Sequence, residues 1–445
     1  MNQDTHLSLN IDTNDLFIKL YEVSRSGDNS SGSNSAIVSH EAATAILLQN
    51  GSIVAWGDPN NGGKVPPEIA QLQDIVSLCA TSYAFAALRA DRSVVAWGNP
   101  RYGSQIPPEI AKLRDIVSLC TTSGAFAAIR ANRSVVAWGD PDYGGQIPPD
   151  IAQLQDIVSL SATRSAFTAL RANRSVVTWG NPDGSGQIPP DIAQLQDIVS
   201  LCATSYAFAA LRTDRSVVAW DGQKNRDMGG QIPPEIAKLQ DIVSLHSTEY
   251  TFTALRANRS IVSWGGYNRI PPEIAKLQDI VSLCVSGRPL IGEESFTALR
   301  ADRSVVGWGS QSWYGQDQAP PDISKLQDIV SLSTSYVTYA ALRADRSIVV
   351  WGDPDAGGAL PDEIAQLSDI IGLSATMGAF AALREDRSVV AWGLPSQGGY
   401  VPPEIAKLKD IVSLSSSGYA FTALRSNGRR VGWGGGDTKA HGEYD

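Results

Sequence analysis

Ten of the eleven tryptophans in this chain of 445 residues fall at one position of a recurring motif. Trp56, Trp97, Trp138, Trp179, Trp220, Trp264, Trp308, Trp351, Trp392 and Trp433 follow one another at intervals of 41, 41, 41, 41, 44, 44, 43, 41 and 41 residues. Each closes a copy of the hairpin-like run 84–98. An interval of this length means one supersecondary unit copied and stacked, because each copy buries its apolar faces only against its neighbours. The copies fill residues 36–434 and leave no space for a second domain. Residues 1–35 read as a polar segment in which 15–23 alternates as a capping strand, and residues 435–445 read as a flexible, glycine-rich tail.

Three short strands are predicted per copy, at 74–79, 85–89 and 93–97 in the second, each rich in Val, Ile, Leu or Ala and bounded by turn residues. The last two form a hairpin. The connector 66–73 places Pro66 and Pro67 at a helix start, Glu68 in the first turn and apolar residues at helical spacing, which predicts one or two helical turns. The fold expected is all-β, a β-propeller of about ten three-stranded units with a ~41-residue period. The alternative is an open β-solenoid or a leucine-rich-like repeat. The run 229–245 carries leucine-rich-repeat spacing, but such repeats have a period in the twenties and no Trp-Gly hairpin.

Composition excludes several functions. Lys plus Arg number 36 against 46 Asp plus Glu, so no net basic surface exists to grip phosphates, and nucleic acid is not an expected partner. No apolar run reaches the length of a membrane span, and residues 1–20 lack a basic stretch followed by an apolar core. The expectation is therefore no membrane partner, with either cytoplasmic residence or export without a standard signal peptide. Cys79, Cys120, Cys202 and Cys284 share one repeat slot with Ser161, Ser333, Ser374, Ser415 and His246, which reads as a small packed side chain rather than a disulfide or metal framework.

The residues Ile75-Val76-Ser77-Leu78, Ala86-Ala87-Leu88, Val94-Val95-Ala96-Trp97-Gly98 and Tyr102-Gly103 resemble the repeat of the regulator of chromosome condensation superfamily. The resemblance is nearest to its short bacterial form, which includes the propeller-type β-lactamase inhibitory proteins. It covers 37–434 and implies a β-propeller. Two features depart from that family. Its Asp-Gly turn is represented by Asn50-Gly51 and Asn427-Gly428 in the outermost copies alone, and its usual seven blades contrast with ten units here.

In a three-stranded antiparallel unit the first turn and the exit from strand three lie at one end, and the strand-two-to-three turn lies at the other. One rim therefore carries arginine. Eight turns read Asp-Arg or Asn-Arg, from Arg92 to Arg387, and nine further arginines, from Arg89 to Arg425, stand three residues earlier. If the turn keeps the family's shape, each turn arginine replaces a glycine at positive φ. Acids recurring in register, Asp74, Asp115, Asp156 and Asp197, predict a structural ladder of ion pairs.

The other rim carries aromatics. Tyr83, Tyr206, Tyr250, Tyr336 and Tyr419 fall in or beside the first turn, and Tyr102, Tyr143, Tyr267, Tyr314 and Tyr400 follow strand three. The repeat also breaks register there three times, at 221–228, 287–294 and 311–317, in neighbouring units. Insertions in repeat proteins collect on the working face. Trp313, outside the repeat slot, is the expected anchor, with Tyr314, Arg288, Tyr250 and Tyr336 around it and Tyr206, Tyr83 and Tyr419 further along the rim.

No Ser-His-Asp or Cys-His set, metal-ligand spacing or phosphate-binding loop stands out, so no enzyme activity, cofactor or metal is expected. The leading expectation is a non-catalytic, protein-binding propeller, an inhibitor, effector or adaptor using the aromatic rim and the irregular loops. The alternatives are a carbohydrate-binding, lectin-like propeller and, by family analogy alone, guanine-nucleotide exchange on a small GTPase.

Overall fold

A computed structural model describes residues 36–222, 228–266, 270–288, 293–309, 319–336 and 338–443. The N-terminal segment, with its capping-strand expectation, lies outside them. Ten antiparallel sheets follow one another along the chain, numbered here as units 1 to 10 by their tryptophans. Unit 1 comprises β1 (Ile37–His40), β2 (Ala43–Leu47) and β3 (Ile53–Gly57), and unit 2 comprises β4 (Ile75–Ala80), β5 (Ala84–Arg89) and β6 (Val94–Gly98). Strand order within a unit equals chain order, and the first strands of successive units approach one another. The first strand is therefore each blade's inner edge. Eight of the predicted connector helices form as single turns, Pro67–Ala70 being the first, each with an acid in its first turn and one buried isoleucine such as Ile69, while the connector before unit 8 is a turn over 321–325.

The core is divided among the seams between units. Ala43, Ala45, Leu47 and Ile53 of unit 1 pack with Ile69, Ile75, Leu78, Phe85 and Trp97 of unit 2. In units 2 to 10 the tryptophan stacks on the aromatic of its own second strand, as Trp97 does on Phe85 at 5.2 Å between centroids. In units 2, 3, 4, 6, 9 and 10 the indole N–H reaches across the seam. Trp97 Nε1 donates to Gly62 O (3.0 Å) and Trp138 Nε1 to Gly103 O (2.9 Å), 35 residues back. Gly62 sits at φ +96°, and a Cβ there would stand 2.6 Å from the Phe85 ring, so the loop that receives the indole lies flat on its stacking partner.

The ring closes. Unit 1 has Thr44 where the others have an aromatic, and the chain supplies the missing ring from its far end: His441 stacks on Trp56 at 4.0 Å and 5°. The stretch 435–445, expected to be a flexible tail, thus contributes a two-residue strand, His441–Gly442, paired with Arg430–Gly434. Trp56 Nε1 donates to Gly434 O (2.8 Å), Arg430 Nη1 to Leu47 O (2.9 Å), and Ser39 Oγ to Ser417 Oγ (2.6 Å). Ten blades and a sealed seam make the propeller, and the open solenoid is excluded.

The arginine rim divides into two sets. The strand arginines, not the turn arginines, meet the acids: Arg89 holds Asp74 through Nε (3.1 Å to both carboxylate oxygens) and Nη2 (2.8 Å). Nine such pairs, to Arg425–Asp410, circle the ring, each partly exposed and contributing roughly 0.2–1 kcal/mol. The turn arginines stand at φ 62–66°, in the left-handed region that glycine usually fills in such turns. The geometry is a type I turn, with Arg92 N–H donating to Arg89 O (2.9 Å), followed by a left-handed residue. Arginine there costs about 1 kcal/mol or more relative to glycine. Glycine loses about 0.5–1 kcal/mol more chain entropy on folding, so Arg133→Gly is expected to change global stability by less than about 1 kcal/mol, measured by denaturant unfolding. A larger loss means that the guanidinium itself holds the fold.

Candidate functional site

The first turns of successive units are tied in a backbone belt at the aromatic end. Ser82 N–H donates to Ser123 O, Ser123 to Arg164, Arg164 to Ser205 and Ser205 to Glu249, all at 2.9–3.0 Å, and Tyr336 to Met377 and Met377 to Gly418 continue it. Tyr83, Tyr206, Tyr250, Tyr336 and Tyr419 stand on or beside this belt, all partly buried. They do not form one cluster. Tyr83 packs edge-on against Tyr102 at 4.8 Å. Tyr419, at the seam, donates its backbone N–H to Ser39 Oγ (3.2 Å). Tyr336 is in unit 8, where its N–H takes its place in the belt.

Tyr206 and Tyr250, from units 5 and 6, are brought together. Their rings stack at 5.4 Å and 12°. Arg164 of unit 4 lies across them: Nη1 donates to Tyr206 Oη (3.0 Å), its guanidinium carbon is 5.9 Å from the Tyr206 ring centre, and Nη1 is 3.5 Å from Glu249 Oε1. Burial opposes the Arg164 charge, but Glu249 and the Tyr206 oxygen outweigh it and raise its pKa. Burial, then the Glu249 carboxylate, push the Tyr250 phenol well above its usual value, so it keeps its proton at neutral pH. Behind them Glu294, 2% exposed, accepts from Tyr250 N–H (2.6 Å) and from the Thr248 and Thr251 hydroxyls, fastening unit 7 to the first turn of unit 6.

Sequence reasoning chose Tyr206 and Tyr250 but missed Arg164, Glu249 and Glu294. A signal existed. Arg164 and Glu249 stand where Ser82, Ser123 and Ser205 stand in other units, and Glu294 stands in the Tyr83 slot, so departures from the repeat mark the cluster. Trp313, Tyr314 and Tyr267 lie outside the described residues. Arg288 ends its strand with a backbone pairing to Glu293.

Among the described residues no group of three or more His, Cys, Asp or Glu could hold a metal ion, and no helix is long and apolar enough to cross a membrane. The four cysteines form no disulfide, and burial pushes the Cys284 thiol up to about 12, so that side chain stays a thiol at neutral pH.

No family model matches the chain, and no curated protein matches it. Among solved structures it is similar to the ectodomain of the receptor kinase CR4 from Physcomitrella patens, with 16% identity, 72% of this chain and 74% of that chain covered, and a TM-score of 0.36. It is also similar to Prp20p from Saccharomyces cerevisiae (15%, 75% and 85%, 0.37) and to the computationally designed Ika8 protein (16%, 84% and 99%, 0.35). Likeness at this level carries nothing about function, and the propeller rests on the ten sheets and the seam that joins the last to the first.

Proposed function

We propose that this chain is a non-catalytic propeller that binds a protein partner on its aromatic rim over units 4 to 7. The observation that carries the reading is the Arg164–Tyr206–Tyr250–Glu249 cluster. Arginine and tyrosine dominate the energetics of protein interfaces, and a guanidinium already fixed by a ring and a carboxylate loses little entropy on docking. The three register breaks, at 221–228, 287–294 and 311–317, belong to the same sector of the chain. Trp313, Tyr314 and Arg288 supply the anchors of that interface, with Tyr336, Tyr83 and Tyr419 further round the rim.

Sugar binding would need tyrosine faces open for stacking. Tyr206 and Tyr250 instead spend a face on each other, and the guanidinium lies over Tyr206. No observation favours nucleotide exchange on a GTPase.

The test is a photo-crosslinking phenylalanine analogue placed at Tyr206 and, in a second sample, at Tyr400, which is exposed on the same rim but in unit 9. In producing cells the Tyr206 probe is expected to yield a defined protein adduct that the Tyr400 probe does not. With the captured partner purified, Tyr206→Ala is expected to weaken binding roughly 30-fold or more. Adducts of equal yield at both positions, or none at Tyr206, would overturn the site.

A further inference from the structure

The arginine end of the ring carries two features that the fold alone does not require. In units 2 to 10 the first strand is bulged, as between Ile75 and Ser77, and the extra residue is valine or isoleucine every time. A bulged residue leaves the ladder. Val76, Val117 and Val158 are 44%, 54% and 53% exposed, and their equivalents are exposed as well, apart from the half-buried Val330. Because the first strand is the inner edge of each blade, these side chains form an apolar collar round the ring axis. Exposed apolar surface that recurs in this way marks an interaction site.

The turn arginines form the second feature. The Arg92 carbonyl accepts from the Ile116 N–H (3.0 Å), so the backbone of each turn arginine is tied to the residue preceding the next unit's exposed valine, here Val117. The same bond recurs to Ile411 and Arg387. Arg346 pairs with Glu385 (2.7 Å); among the described residues the other seven turn arginines form no ion pair. Glycine serves the same turn in units 1 and 10, at φ 79° and 84°, so the backbone gives no reason to carry arginine eight times.

Alternating guanidinium and aliphatic groups complement an acidic segment with interspersed apolar residues. The chain has one. Residues 1–35 carry five acids against Lys19 and Arg25, and 12–23 interleaves Asp12, Asp15 and Glu22 with Leu16, Phe17, Ile18, Leu20, Tyr21 and Val23. It joins the ring at this same end, because β1 runs from Ile37 toward the first turn and is therefore entered from the arginine side. The twelve residues 24–35 span at most ~40 Å when extended, ample to bring the stretch onto the collar.

We propose that the acidic, apolar stretch 12–23 docks in cis on the rim formed by the left-handed arginines and the exposed valines. This rim is opposite the one assigned to the protein partner, so the two readings stand or fall separately.

Trypsin reports the docking in the full chain, because Lys19 lies within the stretch. Cleavage after Lys19, followed by mass spectrometry at low ionic strength, is compared with a synthetic peptide of residues 1–30. The intact protein is expected to be cut at least tenfold more slowly than the peptide. Arg133→Gly, Arg174→Gly and Arg215→Gly together, which relieve backbone strain while removing three charges, are expected to restore most of the peptide rate, as is Val117→Ser with Val158→Ser. Screening at 0.5 M salt, relative to the peptide in the same buffer, is expected to act in the same direction. A cleavage rate equal to that of the peptide overturns the proposal. Protection that neither set of substitutions relieves places the stretch elsewhere, and protection lost on dilution assigns it to a second copy; either result also overturns it.

Discussion

Trp138→Ala is expected to cost about 3–5 kcal/mol, the range for removing a large buried aromatic. The Trp138 indole is 1% exposed, stacks on Phe126 at 5.3 Å and donates across the seam to Gly103 O (2.9 Å). Its loss leaves a cavity in the cluster shared by units 2 and 3 and strands a carbonyl of the preceding loop. In a stacked ring such damage falls first on the two units that share the seam. Hydrogen exchange resolves this better than a global melt, because a chain of this size need not unfold in one step. Amides of units 2 and 3 are expected to exchange roughly 100-fold or more faster, while units 6 to 8 stay near wild type. Trp138→Phe keeps a stacking ring but leaves Gly103 O without its donor, and should lose about 1–3 kcal/mol. Uniform acceleration round the ring would show that the blades do not act as separable neighbours.

How much of this was legible in the sequence depends on which residues obey the repeat. The tryptophan slot, the hairpin and the Pro-Pro-Glu helical turn were plain because each recurs with the local chemistry that makes it. The pairing of acids with the strand arginines was half legible: Asp74 recurs in register with both Arg89 and Arg92. The side chain at Arg89 lies along the strand beside Asp74, whereas a left-handed residue after a type I turn projects away. The valine collar was hidden by the bulge. Ile75 and Leu78 are both buried, a spacing that strict alternation does not allow, and the extra residue between them puts Val76 into solvent. A run of Ile-Val reads as core until that insertion is seen.

Closure was legible only by what unit 1 lacks. Thr44 in the aromatic slot leaves Trp56 without a ring to stack on, and nothing local supplies one. His441, hundreds of residues away, does. The same logic found the candidate site, where Arg164, Glu249 and Glu294 depart from the serine or tyrosine of their slots. In a chain built of copies, the scaffold is written in the repetition, and the seam and the working face are written in the exceptions.

Acid is expected to weaken the join between units 1 and 2, through His40. This histidine ends β1, is 6% exposed, stacks on Phe85 of unit 2 at 4.7 Å and accepts the Ala42 N–H on Nδ1 (3.2 Å). An imidazole that accepts on Nδ1 has no proton there. Burial lowers its pKa from 6.5 to about 4, against the smaller opposing pulls of the Asn61 backbone and the Asp58 carboxylate. With the folded value below the unfolded one, the neutral form favours folding above about pH 6.5, and that contribution is lost as pH falls toward 4. The loss is on the order of 3 kcal/mol, at about 1.4 kcal/mol per pKa unit. The turn aspartates act in a separate window. Asp91, Asp214, Asp302 and Asp345 are held below their ordinary value chiefly by serine hydroxyls, so their contribution persists above about pH 4 and fades only below it. Exchange of unit 1 and unit 2 amides, corrected for intrinsic rate, is therefore expected to show a stability loss of about 2–3 kcal/mol between pH 7 and pH 4.5. His40→Phe, which keeps the stack and cannot titrate, is expected to be less stable at pH 7, because Ala42 N–H loses its acceptor, and flat across the same range. An equal loss in both proteins would remove His40 as the cause and place the acid sensitivity in the carboxylates of the rim.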